Sequence, residues 1–283
     1  MESLAATGNA TAADKEFALA AWLHHRRRVV IGYSGGVDSA YLAVIARQTL
    51  GAHDVLAIIG RSASYPAEQW ATARRVAESF DIAVTELDTD ELNDPNYAAN
   101  PSNRCYFCKL GLWLRLVPFA RERGFDAVVD GTNADDLADY RPGAQAAREH
   151  AVASPLADLG FTKAEIRERS RVHGIPTWSQ PSSPCLSSRL PYGTSVTPQR
   201  LKQVEDAERA LRALGIDDDL RVRYHDELAR VELSRHALDQ WLAPHQFERL
   251  RDAVVAAGFT RVALDLRGFR SGSLNVLHGV TVA

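Results

Sequence analysis

The chain has 283 residues, 46% of them hydrophobic, and a formal net charge of −3. This length is sufficient for one large and one small domain, each with its own core. The weakly acidic balance argues against a broad nucleic-acid-binding surface, and no apolar run approaches the roughly 20 residues that cross a bilayer. The N-terminal segment lacks the basic and apolar regions of a secretory signal, so we expect a cytoplasmic protein with a loose tail up to residue 13.

Strands and helices alternate through the first half of the sequence. A helix over Phe17–His25 comes first, a second helix continues through Tyr41–Ala46, and two more run from Pro66 to about Phe80 and from about Cys105 to Arg123. The predicted strands are Val29–Ile31, Val55–Ile59, Ile82–Leu87 and Ala127–Val129. This alternation implies βαβ units and a parallel sheet. A ligand would then bind beyond the carboxyl ends of the strands, where Gly60–Ser64 and Asp130–Asp136 would also lie.

The second half changes in character near residue 195. Before that point, a capping box at Thr162 opens a helix to about Val172, and the proline-rich segment Pro176–Pro191 forms an irregular loop of the kind that is often functional. After it we predict a helix, a hairpin, a second helix and a strand, over Pro198–Leu214, Arg221–Leu233, His245–Ala257 and Arg261–Leu266. The sequence therefore predicts an α/β domain over residues 14–195 and a small α+β domain over residues 196–283.

The segment Val29–Ala40 combines a strand, a glycine-rich turn and the start of a helix. Backbone N–H groups of such a turn, with the positive end of the following helix, bind anions such as phosphate. The usual nucleotide P-loop requires a lysine that is absent here. A plain strand-to-helix turn is the alternative. The turn resembles the PP-loop of ATP pyrophosphatases, which cleave ATP to AMP and pyrophosphate, so the candidate ATP-binding residues are Ser34, Gly35, Gly36, Val37, Asp38 and Ser39.

The three cysteines are too few for a disulfide framework, and their odd number points to chemistry or a metal. Cys105 and Cys108 form a C-x-x-C pair that could be redox-active, although the setting is not that of thioredoxin. A zinc site would need a fourth ligand, whereas three thiolates, with Cys185, could hold a [4Fe–4S] cluster and leave one iron open. Cys185 could also be a nucleophile activated by arginines such as Arg189. An incidental pair and a small buried Cys185 remain the alternative.

Five segments resemble the LarE family of ATP-dependent sulfur transferases, and they occur in one order along the chain: Arg104–Lys109, Asp130–Gly143, Pro181–Arg189, Arg221–Arg223 and Leu264–Asn275. The resemblance implies that Mg-ATP adenylates a carboxylate of pyridinium-3,5-biscarboxylic acid mononucleotide. A sulfur nucleophile then displaces AMP, and the thiocarboxylate serves the nickel-pincer nucleotide cofactor of lactate racemase. The resemblance also implies a sulfur donor and a homo-oligomer.

The family resemblance offers two sources for the transferred sulfur. In sacrificial members, the cysteine at the position of Cys185 supplies the sulfur and is consumed to dehydroalanine. Other members also carry the C-x-x-C pair and use all three cysteines to hold a [4Fe–4S] cluster whose open iron carries an added sulfide. This sequence has Cys105, Cys108 and Cys185, so we favour the cluster and keep a sacrificial Cys185 as the alternative.

The remaining candidate site residues are polar positions near predicted strand ends and in the hairpin. Asp38 is the candidate Mg²⁺ ligand because a hard cation prefers carboxylate oxygens. Arg189, Arg221 and Arg223 could bind phosphate and carboxylate groups through their guanidinium forks, the alternative for the last two being a solvated hairpin face. Nucleotide or substrate contacts are further predicted for Gly60, Arg61, Ser62, Gly131, Thr132, Asp135, Asp136 and Arg141. Asp139 belongs to the same acidic loop, for which solvated carboxylates are the alternative.

Three other functions compete with this interpretation. A tRNA-thiolating PP-loop enzyme would need a basic RNA-binding face, which the charge of −3 does not favour. An amidotransferase-type synthetase such as GMP or NAD synthetase uses the same loop, but it has no need of Cys105, Cys108 and Cys185 together. An ATP-binding regulatory module would bind the nucleotide without releasing pyrophosphate.

Overall fold

A computed structural model describes residues 10–137, 142–181 and 183–270. A four-stranded parallel sheet with the order β3-β2-β1-β4 organises the N-terminal part, as the sequence predicted. Its strands are β1 (Val29–Gly32), β2 (Val55–Arg61), β3 (Ala83–Asp88) and β4 (Ala127–Asp130). The helices are α1 (Ala12–Arg26), α2 (Val37–Leu50), α3 (Ala67–Ser79), α4 (Pro95–Ala98), α5 (Arg104–Glu122), α6 (Pro142–Glu149), α7 (Pro155–Asp158) and α8 (Lys163–Val172).

The central strand β1 separates two apolar layers. Val29 and Ile31 pack in one core with α1 and α2, and Val30 packs in the other with α5. Side chains alternate across a strand, so a strand covered on both faces is apolar throughout, which explains why this run was easy to recognise. The register pairs Gly32 with Ile58 and Asp130, so the carboxyl ends of these strands meet at one edge of the sheet.

The first helix begins earlier than the predicted start at Phe17. The side chain of Thr11 accepts a hydrogen bond from the backbone N–H of Asp14, and the Asp14 carboxylate accepts one from the N–H of Thr11. This reciprocal capping box satisfies two N–H groups that a helix start otherwise leaves unpaired. The short helices α4, α6 and α7 were not predicted, because a segment of one or two turns has too little periodicity.

The C-terminal part forms a three-stranded sheet with the order β5-β6-β7. Its elements are α9 (Pro198–Ala213), β5 (Leu220–His225), β6 (Leu228–Leu233), α10 (Arg235–Trp241), α11 (Pro244–Ala256) and β7 (Arg261–Leu264). The predicted hairpin is confirmed as the antiparallel pair β5 and β6. The elements of this part enclose a core of their own, separate from the two cores that flank β1. Three residues that precede residue 195 pack into it, namely Tyr97, Leu186 and Leu190, and the last two fix the proline-rich loop against this core. The domain boundary near residue 195 stays a prediction.

Within the described residues, no helix is long and apolar enough to cross a membrane.

Candidate functional site

The glycine-rich turn after β1 has a backbone that only glycine accommodates. Gly35 has a φ of +66°, and a Cβ at this position would lie 2.4 Å from the Cβ of Ala73. Gly36 is the N-cap of α2 and has no side chain to cap the helix. The first N–H groups of α2, beginning with that of the buried Val37, are therefore left for a ligand. An anion is the natural partner at this positive helix end.

Two serine hydroxyls cross-link this turn. The hydroxyl of Ser39 donates to the carbonyl of Gly36 at 3.2 Å and lies 3.1 Å from the hydroxyl of Ser34. The backbone N–H of Ser34 also donates to the Ser39 hydroxyl. On the other side, a Cβ on Gly131 would lie 2.8 Å from the Ser39 nitrogen, so this glycine allows the loop after β4 to approach α2. The turn is therefore held in shape before any ligand binds.

Asp38 faces a lysine from α8. The Nζ of Lys163 lies 2.5 Å from one carboxylate oxygen of Asp38, and the side-chain amide of Asn133 donates to the other at 3.4 Å. The backbone N–H of Lys163 donates to the carboxylate of Asp135 at 2.8 Å. A cation and a carboxylate therefore meet beside the phosphate-binding turn, where a polyphosphate with its Mg²⁺ could bind both.

The loop after β4 is stabilised by its own polar groups. Asp130 accepts hydrogen bonds from the backbone N–H and the hydroxyl of Thr132 and from the hydroxyl of Ser154. Asp136 accepts one from the backbone N–H of Asn133. Thr132 and Asp136 thus shape the loop that holds Asn133 against Asp38. The predicted site residue Arg141 and the neighbouring Asp139 lie outside the described residues.

The Mg²⁺ prediction agrees with the donor atoms at this edge of the sheet. Asp38 supplies hard carboxylate oxygens, and Mg²⁺ commonly uses one or two carboxylates together with phosphate oxygens and water. The pKa of Asp158 is raised, first by burial and then by the negative charge of Asp130. No three His, Cys, Asp or Glu side chains of the described residues surround one point, so a cation would depend on the nucleotide for further ligands.

Arg61 and Ser62 line a cavity of about 330 Å³ beyond the ends of β2 and β3. Asp88, Asp90 and Glu91 are three of its nine lining residues. The guanidinium of Arg61 is exposed and paired with Asp88 through Nε and Oδ1 at 2.5 Å. Carboxylates repel phosphate but accept hydrogen bonds from hydroxyl and amino groups, which suits the predicted contact with ribose or adenine.

A buried carboxylate organises the chain around this cavity. Glu91 is 4% exposed and accepts hydrogen bonds from the hydroxyls of Ser62, Ser64 and Thr89. A Cβ on Gly60 would lie 3.0 Å from the methyl carbon of Thr89, so the glycine permits this close packing. Ser62 is therefore engaged with Glu91 as well as facing the cavity.

The three cysteines converge near the start of α5. Cys105 is exposed in the first turn, whereas Cys108 and Cys185 are partly buried. The pKa of the Cys108 thiol is raised, first by burial and then by the nearby Cys185, Glu91 and Cys105. The thiols share one neighbourhood, but no three potential ligands of the described residues are arranged around a single ion. Three thiols are the ligand set that a [4Fe–4S] cluster with one open iron requires, but the presence of a cluster stays a prediction.

Arg104 places a positive charge beside the cysteines. The residue is 4% exposed, and its guanidinium donates to the side chain of Asn100 and to the carbonyl of Ser187. Among the described residues, no carboxylate forms an ion pair with it. Burial lowers the pKa of Arg104, but Cys185, Cys105, Tyr97 and Tyr192 together raise it by more. A buried cation without an acidic partner is therefore available to a negatively charged group bound beside the cysteines.

Arg189 is held by the protein itself. Its Nε and Nη2 each lie 2.9 Å from a carboxylate oxygen of Glu208, and its Nη1 donates to the carbonyls of Pro184 and Cys185. Burial raises the pKa of Glu208, but Arg189 lowers it by more. The observed contacts of Arg189 fix the backbone around Cys185. Its role in binding a substrate stays a prediction.

Arg221 and Arg223 are buried, at 6% and 5% exposed, so the alternative of a solvated hairpin face is wrong. Arg223 donates to Glu232 through Nε and Nη2, at 3.0 and 2.8 Å. The pKa of Arg221 is lowered to about 10, first by burial and then by neighbouring cations, Arg189 ahead of Arg223. The cluster therefore concentrates positive charge, and an anion bound beside it would be stabilised. Whether that anion is the substrate stays a prediction.

Hydrogen bonds connect the cysteine loop to the nucleotide edge of the sheet. The backbone N–H of Leu186 donates to the carbonyl of Ser64 at 2.8 Å. The hydroxyl of Tyr65 donates to the carbonyl of Ser34 at 2.8 Å. The chain after β2 thus touches both the phosphate-binding turn and the residue that follows Cys185, so the two groups of predicted residues lie on one side of the protein.

Two residues of the site were not predicted, although the sequence held signals for both. Lys163 is the first residue of α8, where the helix dipole disfavours a positive charge. Glu208 lies on the face of α9 that buries Val204 and Leu211, where a carboxylate needs a partner. A charge that opposes its local environment is therefore a useful marker of a long-range contact.

Comparisons with known proteins agree with this geometry. A family model described as NAD synthase matches residues 22–100. An uncharacterised protein of Synechocystis sp. is 45% identical over 88% of this chain and 92% of its own length. Pyridinium-3,5-bisthiocarboxylic acid mononucleotide synthase of Lactiplantibacillus plantarum is 35% identical over 94% of this chain and 95% of its own. Cytoplasmic tRNA 2-thiolation protein 1 of Malassezia globosa is 31% identical over 40% of this chain and 33% of its own.

Proposed function

This chain belongs to the LarE family of ATP-dependent sulfur transferases, and from that premise we propose that it converts pyridinium-3,5-biscarboxylic acid mononucleotide to a thiocarboxylate. The 35% identity with the Lactiplantibacillus plantarum synthase spans almost the whole of both chains and carries this proposal. The likeness to the tRNA 2-thiolation protein covers only 40% of this chain and 33% of that protein, so it gives weaker support to a tRNA-thiolating function. The product would serve nickel-pincer nucleotide synthesis.

The first step we propose is adenylation. A carboxylate oxygen of the substrate attacks the α-phosphorus of ATP, and pyrophosphate leaves. The N–H groups at the start of α2 would bind the leaving pyrophosphate, because they are unpaired and lie at a positive helix end. Asp38 would bind Mg²⁺, and Lys163 would then be released from Asp38 to stabilise the phosphate charge. The product is a mixed anhydride, whose carbonyl carbon is a far better electrophile than that of a carboxylate.

The second step is attack by sulfur on this carbonyl carbon, with AMP as the leaving group. We propose that Cys105, Cys108 and Cys185 hold a [4Fe–4S] cluster, which would supply an open iron able to carry an added sulfide. The buried Arg104 supplies a positive charge beside the cysteines, which would favour a negatively charged group bound there. Arg189 keeps the loop carrying Cys185 in place through its bonds to the carbonyls of Pro184 and Cys185. The ultimate sulfur donor is a separate reactant.

The alternative is a sacrificial Cys185. Its sulfur would attack the carbonyl carbon to give a thioester as AMP leaves. Loss of the Cys185 α-proton to a base and cleavage of the Cβ–S bond would then release the thiocarboxylate and leave dehydroalanine. This route consumes one protein molecule per sulfur atom and needs neither Cys105 nor Cys108.

Incubation with Mg-ATP and the biscarboxylic acid mononucleotide tests the function. We expect AMP, pyrophosphate and a product in which mass spectrometry detects one oxygen replaced by sulfur. Pyrophosphate release that does not depend on the mononucleotide would contradict the proposed substrate. Binding of ATP without any pyrophosphate release would instead indicate a regulatory module.

Anaerobic reconstitution with iron and sulfide separates the two sulfur sources. We expect bound iron and an absorption band near 400 nm, both lost in Cys105→Ala, Cys108→Ala and Cys185→Ala. Protein that stays free of iron after reconstitution would contradict the cluster. If the mass of the protein then fell during turnover by that of hydrogen sulfide, and the loss mapped to Cys185, the sacrificial route would be established. The metal readout does not depend on turnover, so it is independent of the substrate assignment.

A further inference from the structure

Gln69 is a buried amide in the first turn of α3 that contacts both halves of the site. It is 5% exposed, and its Nε2 donates to the carbonyl of Ser34 at 2.9 Å, while its Oε1 accepts from Nε2 of Gln180 at 3.3 Å. Because a carbonyl oxygen only accepts, the NH₂ group must face Ser34, which leaves the amide oxygen for Gln180. One side chain therefore joins the phosphate-binding turn to the start of the segment that leads to Cys185.

Helix α8 makes a second connection between the same two regions. Lys163 at its start contacts Asp38, and Arg167 lies four residues later on the same face of the helix. The Nη2 of Arg167 donates to the backbone carbonyl of Gln180 at 3.1 Å. Gln180 is thus held through its side chain by α3 and through its backbone by α8. Both helices also contact the turn that would bind ATP.

The junction around Gln180 is incompletely hydrogen-bonded. Within the described residues, four buried polar atoms of this region have no partner: Arg167 Nε, Ser170 Oγ, Thr177 Oγ1 and Gln180 Oε1. Each unpaired buried group opposes folding. The position of Gln180 therefore depends on the few contacts that it does make, those with Gln69 and Arg167.

We propose that Gln69 is a positioning residue that couples nucleotide binding to the placement of the Cys185 loop. ATP bound at the turn restrains the Ser34 carbonyl, which Gln69 contacts directly. The amide in turn restrains Gln180 and the segment that leads to Cys185. This proposal deepens the proposed function: the nucleotide that activates the substrate also orders the segment that carries Cys185.

Matched glutamine variants test the coupling. Gln69→Met keeps the length and volume of the side chain but removes both hydrogen bonds, and Gln180→Met removes the shared contact from the other partner. Gln240→Met, on the exposed surface of α10, is the control. We expect pyrophosphate release to fall by no more than about threefold in either variant, and thiocarboxylate formation to fall by about tenfold, as loss of a buried hydrogen bond allows. The double variant should be no worse than either single variant.

Hydrogen exchange tests the same contact without turnover. In the full-length native protein, α,β-methylene ATP should change amide exchange in residues 183–190, and Gln69→Met should abolish that change while the analogue still binds. Unchanged exchange of residues 183–190 in the native protein would overturn the coupling. So would a parallel loss of pyrophosphate release and thiocarboxylate formation in Gln69→Met, because the residue would then serve the nucleotide turn alone. The analogue needs no acceptor, so this arm separates failure of the coupling from a wrong substrate.

Discussion

The two halves of the site are built in different ways. The turn of the nucleotide half is shaped mainly by its own backbone and by short-range contacts, with Ser34 and Ser39 cross-linking a turn that Gly35 makes possible. The loop of the sulfur half depends instead on side chains of other elements, above all on the ion pair that Arg189 forms with Glu208 of α9. Substitutions in the first half should therefore affect chemistry while the fold persists. Substitutions in the second half should affect stability and sulfur transfer together.

The largest effect should come from the nucleotide half. Asp38→Asn removes the charge that we propose binds Mg²⁺, but it preserves the shape of the side chain. Loss of a metal ligand forfeits several kcal/mol of transition-state stabilisation, so we expect pyrophosphate release to fall by about 10³-fold. Thermal stability should change little. Asp54→Asn is the control, because Asp54 immediately precedes β2 and so lies at the amino end of that strand. Retention of activity in Asp38→Asn would place the metal elsewhere.

The next effect should come from the sulfur half, and it should appear in stability. Arg189→Met leaves Glu208 buried without its cation, and breaking such a pair costs about 3 kcal/mol or more. We expect denaturant unfolding at lower concentration together with loss of thiocarboxylate formation. Arg209→Met, whose side chain is 69% exposed and pairs with Asp206 on the surface of α9, is the control. It should be nearly neutral because exposed pairs contribute little.

If Arg189→Met left stability unchanged, the ion pair would not support the cysteine loop. The double variant Arg189→Met/Glu208→Gln sharpens the comparison. It removes the uncompensated charge, so it should recover part of the lost stability without recovering sulfur transfer. Recovery of both would mean that the uncompensated charge of Glu208, and no specific geometry at Cys185, caused the loss of sulfur transfer in the single variant.

The difference between the halves also explains what the sequence could predict. The strand, the glycine-rich turn and the helix after Val29 are local patterns, and each of them was recognised correctly. The partner of Arg189 was missed because Glu208 becomes its neighbour only when α9 packs against the proline-rich loop. Local periodicity shows that Glu208 sits on an apolar face, but it does not identify the cation that pairs with it. The contacts of Gln69 with Ser34 and of Lys163 with Asp38 were missed for the same reason.

Lys163 gives an intermediate test within the nucleotide half. Lys163→Met removes the cation beside Asp38, so ATP should bind more weakly and pyrophosphate release should fall by about tenfold, the equivalent of one charge-assisted hydrogen bond. The difference in ATP cleavage between the native protein and the variant should become smaller at high salt, because salt screens the charge of Lys163 that only the native protein has. Lys202→Met on α9 is a matched control, since that lysine is 71% exposed. Equal ATP affinity in Lys163→Met and native protein would contradict the role of Lys163.

The smallest effect on catalysis should come from Glu16, which fixes the far end of α8. Its carboxylate accepts hydrogen bonds from Arg169 at 2.7 Å and from Tyr41 at 2.7 Å, and it lies 3.0 Å from His173. Burial raises the pKa of Glu16, but these partners lower it by more, to about 2 from 4.5. A carboxyl group with a depressed folded-state pKa stabilises the protein above its unfolded-state pKa. That contribution is lost as the pH falls from about 4.5 towards 2.

Glu16→Gln therefore separates anchoring of α8 from chemistry at its N-terminus. We expect a loss of about 1 to 2 kcal/mol in the free energy of unfolding at pH 7, and a shallower decline in stability between pH 4.5 and 2 than in the native protein. Pyrophosphate release and thiocarboxylate formation should stay within about twofold of native, because the amide retains a hydrogen-bonding oxygen and α8 keeps its place. Glu248→Gln on the exposed face of α11 is the control. A large loss of pyrophosphate release in Glu16→Gln would show that the contact between Lys163 and Asp38 depends on both ends of the helix, and that the nucleotide half is less local than its sequence suggests.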